Sequence, residues 1–168
     1  FSEEDRYQKK IEKEKNKRIM KIGITSDHRG YKLKMELLTK LKQEYEIIDF
    51  GCSSSESVDY PDYAFALGEA LRKREIDYGI AICGSGIGIS IACNKVKGVR
   101  AARVVSLEDV YETRSDNDAN IICLSEKFTT EEALQLIHAF LTTPFSNAVR
   151  HIRRINKIKE YEEKHYEC

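Results

Sequence analysis

The sequence predicts an α/β fold built on a parallel sheet, and three observations carry the prediction. Five short β-rich apolar runs alternate with five longer stretches of helical spacing, the pattern of βαβ crossovers. Polar or glycine-rich loops follow several of those runs, where an open parallel sheet places its ligands. The chain has 168 residues, 41% of them hydrophobic and 33% charged, which suits one globular domain with a sizeable core.

The elements follow in order. Met20 to Thr25 reads as the first strand and Tyr31 to Glu44 as the helix after it. Glu46 to Phe50 leads to helical spacing over Tyr63 to Arg74, and Tyr78 to Cys83 leads to Ile87 to Lys95. Val99 to Val105 precedes Leu107 to Arg114, and Asn120 to Leu124 precedes Thr130 to Thr142. The last of these opens on Thr129-Thr130-Glu131-Glu132, a capping pattern. Beyond Pro144, a charged helical tail from Asn147 to Glu163 carries Val149, Ile152, Ile155 and Ile158 at three-residue steps. Such a stripe needs a surface to cover, as a partner subunit would offer.

Residues 1 to 18 hold seven basic and five acidic side chains and few apolar anchors, so they form no core of their own and read as a solvated extension. The domain is expected to begin near Ile19. The 28 Lys and Arg balance the 28 Asp and Glu, which argues against a nucleic-acid footprint. No apolar run approaches the roughly 18 to 20 residues that cross a bilayer, and the charged N-terminus is unlike a signal peptide. The expected location is the cytoplasm. The cysteines, Cys52, Cys83, Cys93, Cys123 and Cys168, contain no C-x-x-C pair and read as reduced thiols. The four histidines have no zinc-binding spacing, so no metal cofactor is expected.

Three loops hold the polar chemistry: Ser26-Asp27-His28-Arg29-Gly30, Asp59-Tyr60-Pro61-Asp62-Tyr63 and Cys83-Gly84-Ser85-Gly86-Ile87-Gly88. Gly84, Gly86 and Gly88 let backbone N–H groups converge on an anion at the start of a helix. Position 89 is Ile, so this is no dinucleotide fingerprint, and no Gly-Lys-Ser/Thr follows to make a Walker loop. The plain alternative is a tight strand-to-helix turn. Cys83, at the last strand position beside the cradle, sits where converging amides favour a thiolate that could act as a base. Its alternative is a small buried hydrophobe, the reading given to Cys93 and Cys123. Asp27 and His28 form either a carboxylate-oriented imidazole or a helix cap beside a solvated ring. Arg150 and Arg154, one helical turn apart, form either a phosphate clamp or a solvated basic face.

Taken together, these blocks resemble type B ribose-5-phosphate isomerases and the wider sugar-phosphate isomerase family that includes galactose-6-phosphate and allose-6-phosphate isomerases. The resemblance rests on Ser-Asp-His-Arg-Gly at 26 to 30, Asp-Tyr-Pro-Asp-Tyr-Ala at 59 to 64, Ile-Cys-Gly-Ser-Gly-Ile-Gly at 82 to 88, continuing to Lys95, and Arg-His-Ile-Arg-Arg-Ile at 150 to 155. It implies a Rossmann-like three-layer α/β/α sandwich with a five-stranded parallel sheet and a C-terminal helix. It also implies a homodimer with shared active sites and a cofactor-free step of carbohydrate metabolism, the interconversion of ribose 5-phosphate and ribulose 5-phosphate. By the resemblance, Cys83 moves a proton between C2 and C1, while the Gly84 to Gly88 loop and the Ser85 hydroxyl hold the enediolate charge. Asp27 and Tyr60 match residues near the sugar. His28, Arg150 and Arg154 match phosphate-contacting positions, the arginines coming from the partner.

Two positions depart from the family pattern. Asp116 stands where relatives carry a ring-opening histidine, while Asn117 keeps the asparagine that follows it. An exposed carboxylate is ionised at neutral pH and makes a poor acid, so ring opening falls to Asp116 as a base, to His28, or to open-chain sugar in solution. Lys127 replaces an arginine at a phosphate position, keeping the charge and losing the fork. The competing expectations are a six-carbon sugar-phosphate isomerase and a non-catalytic phosphate-binding module.

Overall fold

The computed structural model describes residues 2–166, with backbone alone for 12–19. Five strands, β1 (Lys21–Ser26), β2 (Glu46–Asp49), β3 (Tyr78–Cys83), β4 (Ala101–Arg103) and β5 (Ile121–Ser125), pair in the order β2-β1-β3-β5-β4. Every pairing is parallel. Seven helices accompany them: α1 (Glu3–Ile19), α2 (Tyr31–Leu41), α3 (Tyr60–Arg72), α4 (Ile87–Cys93), α5 (Leu107–Asn117), α6 (Thr130–Thr142) and α7 (Val149–His165).

The sheet is buried on both faces, and alternate residues serve opposite layers. Ile80 and Ile82 of β3 join Ile22, Ile24, Ile122 and Leu124 under α2, α5 and α6. Ala81 and Cys83 join Ile121 and Cys123 under α3 and α4. A fully buried Ile or Leu contributes roughly 1.5–3 kcal/mol, so these central strands outweigh any local propensity. The expected three-layer sandwich with a C-terminal helix is the architecture observed. No helix among the described residues is long and apolar enough to cross a membrane.

Most differences from the sequence reading fall at element ends, each with a local cause, and one is a whole helix. Helix α3 starts at Tyr60 rather than Tyr63 because Pro61 falls in its first turn, where its fixed φ suits a helix start. Strand β4 keeps only three residues: Val99 donates to the Val96 carbonyl and Arg100 N to Asn120 Oδ1, so the backbone before Ala101 is spent on a turn and a side chain. Helix α5 runs past Arg114 to Asn117 and stops where Asp118 turns left-handed at φ 48°, which puts Asp116 and Asn117 in a helical last turn. Residues 3–19, expected only as a solvated extension, form a helix opened by a Ser2–Asp5 capping box, with residues 2–10 exposed.

The stripe on the C-terminal helix divides. Ile155 is buried together with His151, one turn earlier, while Val149 is 78% exposed and Ile152 and Ile158 are also uncovered. The far end of α7 is held by Glu162, which accepts from Gly98 N at 2.7 Å, and by Glu163, 2.6 Å from Lys97 Nζ.

One polar group in the core fixes a loop that later matters. Lys34 of α2 is fully buried, and its Nζ donates to both carboxylate oxygens of Asp49 (2.8 and 3.1 Å) and to the Cys52 carbonyl. Asp49 in turn accepts from Gly51 N at 2.9 Å. The ammonium thus ties the end of β2 to the segment leading to Tyr60. Lys34→Met keeps the stem but leaves a carboxylate and a carbonyl without their donor, and should lower the unfolding free energy by about 2–3 kcal/mol. Asp49→Asn, at a half-exposed position, should cost about 1 kcal/mol; urea unfolding of both variants checks the order.

Candidate active site

The parallel register places the carboxyl ends of three strands side by side, with Ser26 of β1 next to Ile82 of β3, and Cys83 next to Ser125 of β5. A cleft of about 260 Å³ opens above this edge, lined by Asp27, Arg29, Tyr60, Cys83, Gly84, Ser85, Gly88 and Lys127. Seven of these eight are residues singled out in the sequence. Arg29 is the one that reading passed over as a site residue; its only signal was its place inside the loop after β1.

Cys83 is 5% exposed but borders this cleft, and Gly86 N donates to its Sγ at 3.2 Å. That N–H is a donor of the kind a sulfur anion accepts. Gly86 reaches this position with φ +78°, and a Cβ there would lie 3.0 Å from the Leu124 carbonyl carbon, so conformation and space both require glycine. Around it the turn is tied down: Ser125 Oγ donates to the Gly84 carbonyl at 2.8 Å, Arg103 Nε to the Ser85 carbonyl at 3.0 Å, and Ile87 N to Ser85 Oγ at 3.1 Å. Glu126 N donates to the Cys83 carbonyl at 2.9 Å. With these carbonyls engaged, the turn presents a fixed backbone to the cleft.

Asp27 is buried, and its Oδ1 accepts from Arg29 N and Gly30 N at 3.0 Å each. It therefore closes the turn into α2, as in the capping reading, and also lines the cleft; its Oδ1 is engaged by those two N–H groups while His28 Nδ1 bonds Val58 N, so the carboxylate-oriented imidazole is not the arrangement found. Gly30 is needed because a Cβ would fall 2.8 Å from the Ile82 carbonyl oxygen. Tyr60, in the first turn of α3, lies over Gly88, where a Cβ would meet its Cζ at 2.7 Å. His28 stands beside the cleft rather than in its lining; its Nδ1 accepts from Val58 N at 3.2 Å, which leaves Nε2 as the edge that carries a proton in the neutral ring.

The other cysteines behave as core. Cys52, Cys93 and Cys123 are buried free thiols, and Cys168 lies outside the described residues. Hydrogen bonding with Cys93, then burial, and then the nearness of Cys93 and Cys83 push the Cys123 thiol well above the ordinary range, so it stays a neutral thiol.

Four of the sequence-selected residues do not meet the others. Asp116 and Asn117 end α5, Arg150 and Arg154 lie exposed on α7, and none lines the cleft within one chain. Asp116 instead faces His151, with Oδ1 3.4 Å from Nε2. His151 was in view only as part of the Arg150 to Ile155 block, and its contact across two helices had no signal in the sequence.

Comparison with known proteins agrees with this geometry. Residues 22–158 match the family model described as Ribose/Galactose Isomerase. The ribose-5-phosphate isomerase B of Mycobacterium tuberculosis is 38% identical over 149 residues, covering 87% of this chain and 92% of its own length. Among solved structures, the Clostridium thermocellum ribose-5-phosphate isomerase B superposes with a TM-score of 0.83 at 48% identity, over 86% of this chain and 99% of that one. A Mycoplasma genitalium ribose-5-phosphate isomerase B with bound ribulose 5-phosphate gives a TM-score of 0.82 at 40% identity, over 88% and 99% of the two chains.

The left-handed turn at Gly86 makes one stability test direct. Gly86→Ala should cost about 1–2 kcal/mol from backbone conformation alone, and more if Leu124 cannot yield. Thermal unfolding checks this, with Gly98→Ala, also left-handed but with nothing within 4 Å of a Cβ, as the control for conformation without the clash.

Proposed function

The chain belongs to the ribose/galactose isomerase family, and from that premise we propose that it interconverts ribose 5-phosphate and ribulose 5-phosphate with Cys83 as the proton carrier. The observation that carries the reading is the position of the Cys83 sulfur, bordering the cleft under the Gly86 N–H. In the aldose-to-ketose direction the thiolate takes the proton from C2 of the open-chain sugar. The C2–H electron pair moves toward C1, and the carbonyl oxygen O1 gains negative charge. The Gly84–Gly88 backbone and the Ser85 hydroxyl face that charge, in keeping with an oxyanion site built before the reaction begins. Return of the proton to C1, with transfer of the O2 proton to O1, completes the ketose.

The remaining groups serve binding. Asp27 and Tyr60 contact sugar hydroxyls in the cleft that both line, and Lys127 supplies charge to the phosphate. His28 offers its Nε2 edge to the same phosphate. Arg150, Arg154, Asp116 and Asn117 complete the site from a second copy of the chain, because none of them lines the cleft of its own chain. The uncovered side chains support that assembly: Ile87 and Ile91 of α4, Val105 and Leu107 before and in α5, and Val149 and Ile152 of α7 are exposed apolar groups on the elements that a shared site would join. Asp116, facing His151, acts as the base in ring opening: it takes the proton of the anomeric hydroxyl, the C1–O4 bond breaks as the C1 carbonyl forms, and the same proton is returned to the ring oxygen.

Cys83→Ala should reduce turnover by about a thousandfold while keeping affinity for ribose 5-phosphate. Loss of binding together with turnover would assign the thiol to structure. A coupled assay across ribose 5-phosphate, allose 6-phosphate and galactose 6-phosphate tests the substrate, and preference for a six-carbon sugar would overturn the pentose assignment. Light scattering should give a dimer mass, and a monomer with full activity would remove the shared site.

A further inference from the structure

The geometry points to Arg29 as a substrate-binding residue that supplies a fixed guanidinium to the anionic end of the sugar phosphate beside Lys127. It rests on the isomerase reading above and adds to it a residue to which that reading gives no role.

Arg29 is anchored at both ends. Its backbone N–H donates to Asp27 Oδ1 at 3.0 Å, and its Nη2 donates to Glu126 Oε1 at 2.7 Å. Between these anchors the guanidinium lies over Gly84: a Cβ at that glycine would be 3.0 Å from both Cζ and Nη1 and 3.1 Å from Nε. Near-equal distances to three atoms of one planar group mean that it lies face-on to the backbone, with its N–H edges turned sideways. Glu126 takes one Nη2 hydrogen; the second Nη2 hydrogen, with either Nε–H or an Nη1–H beside it, is the parallel donor pair that remains, and Arg29 and Lys127 both line the cleft that holds Cys83.

Three features separate this from an ordinary surface arginine. The side chain is 57% exposed, yet both of its ends are held, so little rotamer freedom is left to lose when a ligand arrives. Its carboxylate partner is tied to the catalytic strand, since Glu126 N donates to the Cys83 carbonyl at 2.9 Å; the distance from thiol to guanidinium is therefore built into the backbone. Finally, Gly84 carries no left-handed φ, so what a side chain there would disturb is the guanidinium itself. A planar fork beside a lysine suits a phosphate, with the lysine as a point charge and the arginine as the oriented donor pair.

The test uses the full-length protein and two probes, ribose 5-phosphate in the isomerase assay and inorganic phosphate as a competitive inhibitor. Arg29→Ala should raise KM about tenfold and weaken phosphate inhibition by a similar factor, with kcat changed less than about threefold. Arg29→Lys should recover part of both, since it keeps charge and loses the fork. Glu126→Gln, which keeps the arginine but loosens its anchor, should give an intermediate KM. A fall in kcat with KM and phosphate inhibition unchanged would overturn the assignment, as would unchanged values in all three variants. If wild-type protein binds phosphate but turns over no ribose 5-phosphate, the isomerase reading fails while the Arg29 assignment is still decided by the phosphate measurements.

Discussion

Everything in the site depends on the register between β3 and its neighbours. Because Cys83 is paired with Ser125 and Ile82 with Ser26, the loops that follow β1, β3 and β5 leave the sheet at one edge and within reach of one another. Ser125 Oγ then holds the Gly84 carbonyl, Glu126 N the Cys83 carbonyl, and Asp27 N donates to the Ile82 carbonyl at 3.2 Å. A shift of one residue in β3 would turn Cys83 toward the other face of the sheet and put Ile82 under the cleft. What prevents the shift is the burial on both faces: Ile80 and Ile82 fill one layer, Ala81 and Cys83 the other, and exchanging them would misfit both. Core packing and the geometry of the cleft are thus the same constraint seen from two ends of a strand.

That coupling explains how much of the molecule was legible in its sequence. The central strands were readable because their apolar runs are demanded by double-sided burial, and β3 appears at its expected limits, Tyr78 to Cys83. Strand β4 was overestimated at its start because Val99 is apolar for a different reason: it is buried in a turn, its N–H donating to the Val96 carbonyl. The cleft residues were legible where backbone chemistry demands a residue type, as at Gly86. Arg29 and His151 were not, because their roles come from contacts with Glu126 and Asp116, 97 and 35 positions distant, and no local pattern encodes such a partner.

The loop before α3 shows a second way in which core and site are joined. Lys34, with no access to solvent, spends its charge on Asp49 and the Cys52 carbonyl, while Val58 is tied to His28. Between these ties lies the stretch 53–57, exposed throughout and rich in serine, which could not by itself hold Tyr60 over Gly88. A buried lysine loses its hydration even when a part-exposed carboxylate meets it, so the pair adds little net stability but fixes one end of a polar segment. Here the fixed end is the approach to Tyr60, which lies against Gly88 and lines the cleft.

Asp116 illustrates the limit of carrying a family pattern onto one position at a time. Taken alone, a carboxylate in a histidine's place loses the ability to donate a proton near neutral pH. In the folded chain it is not alone, because His151 on α7 approaches it at 3.4 Å, and the two side chains together hold a carboxylate and an imidazole where the pattern asks for an imidazole. Helix α7 is placed for this by the burial of Ile155 one turn beyond His151 and by the anchors at Glu162 and Glu163. The same helix presents Arg150 and Arg154 to solvent. His151 shares α7 with both arginines and Asp116 reaches that helix from the last turn of α5, so a surface that receives Arg150 and Arg154 lies beside the Asp116–His151 pair, and in a shared site the two groups would arrive together.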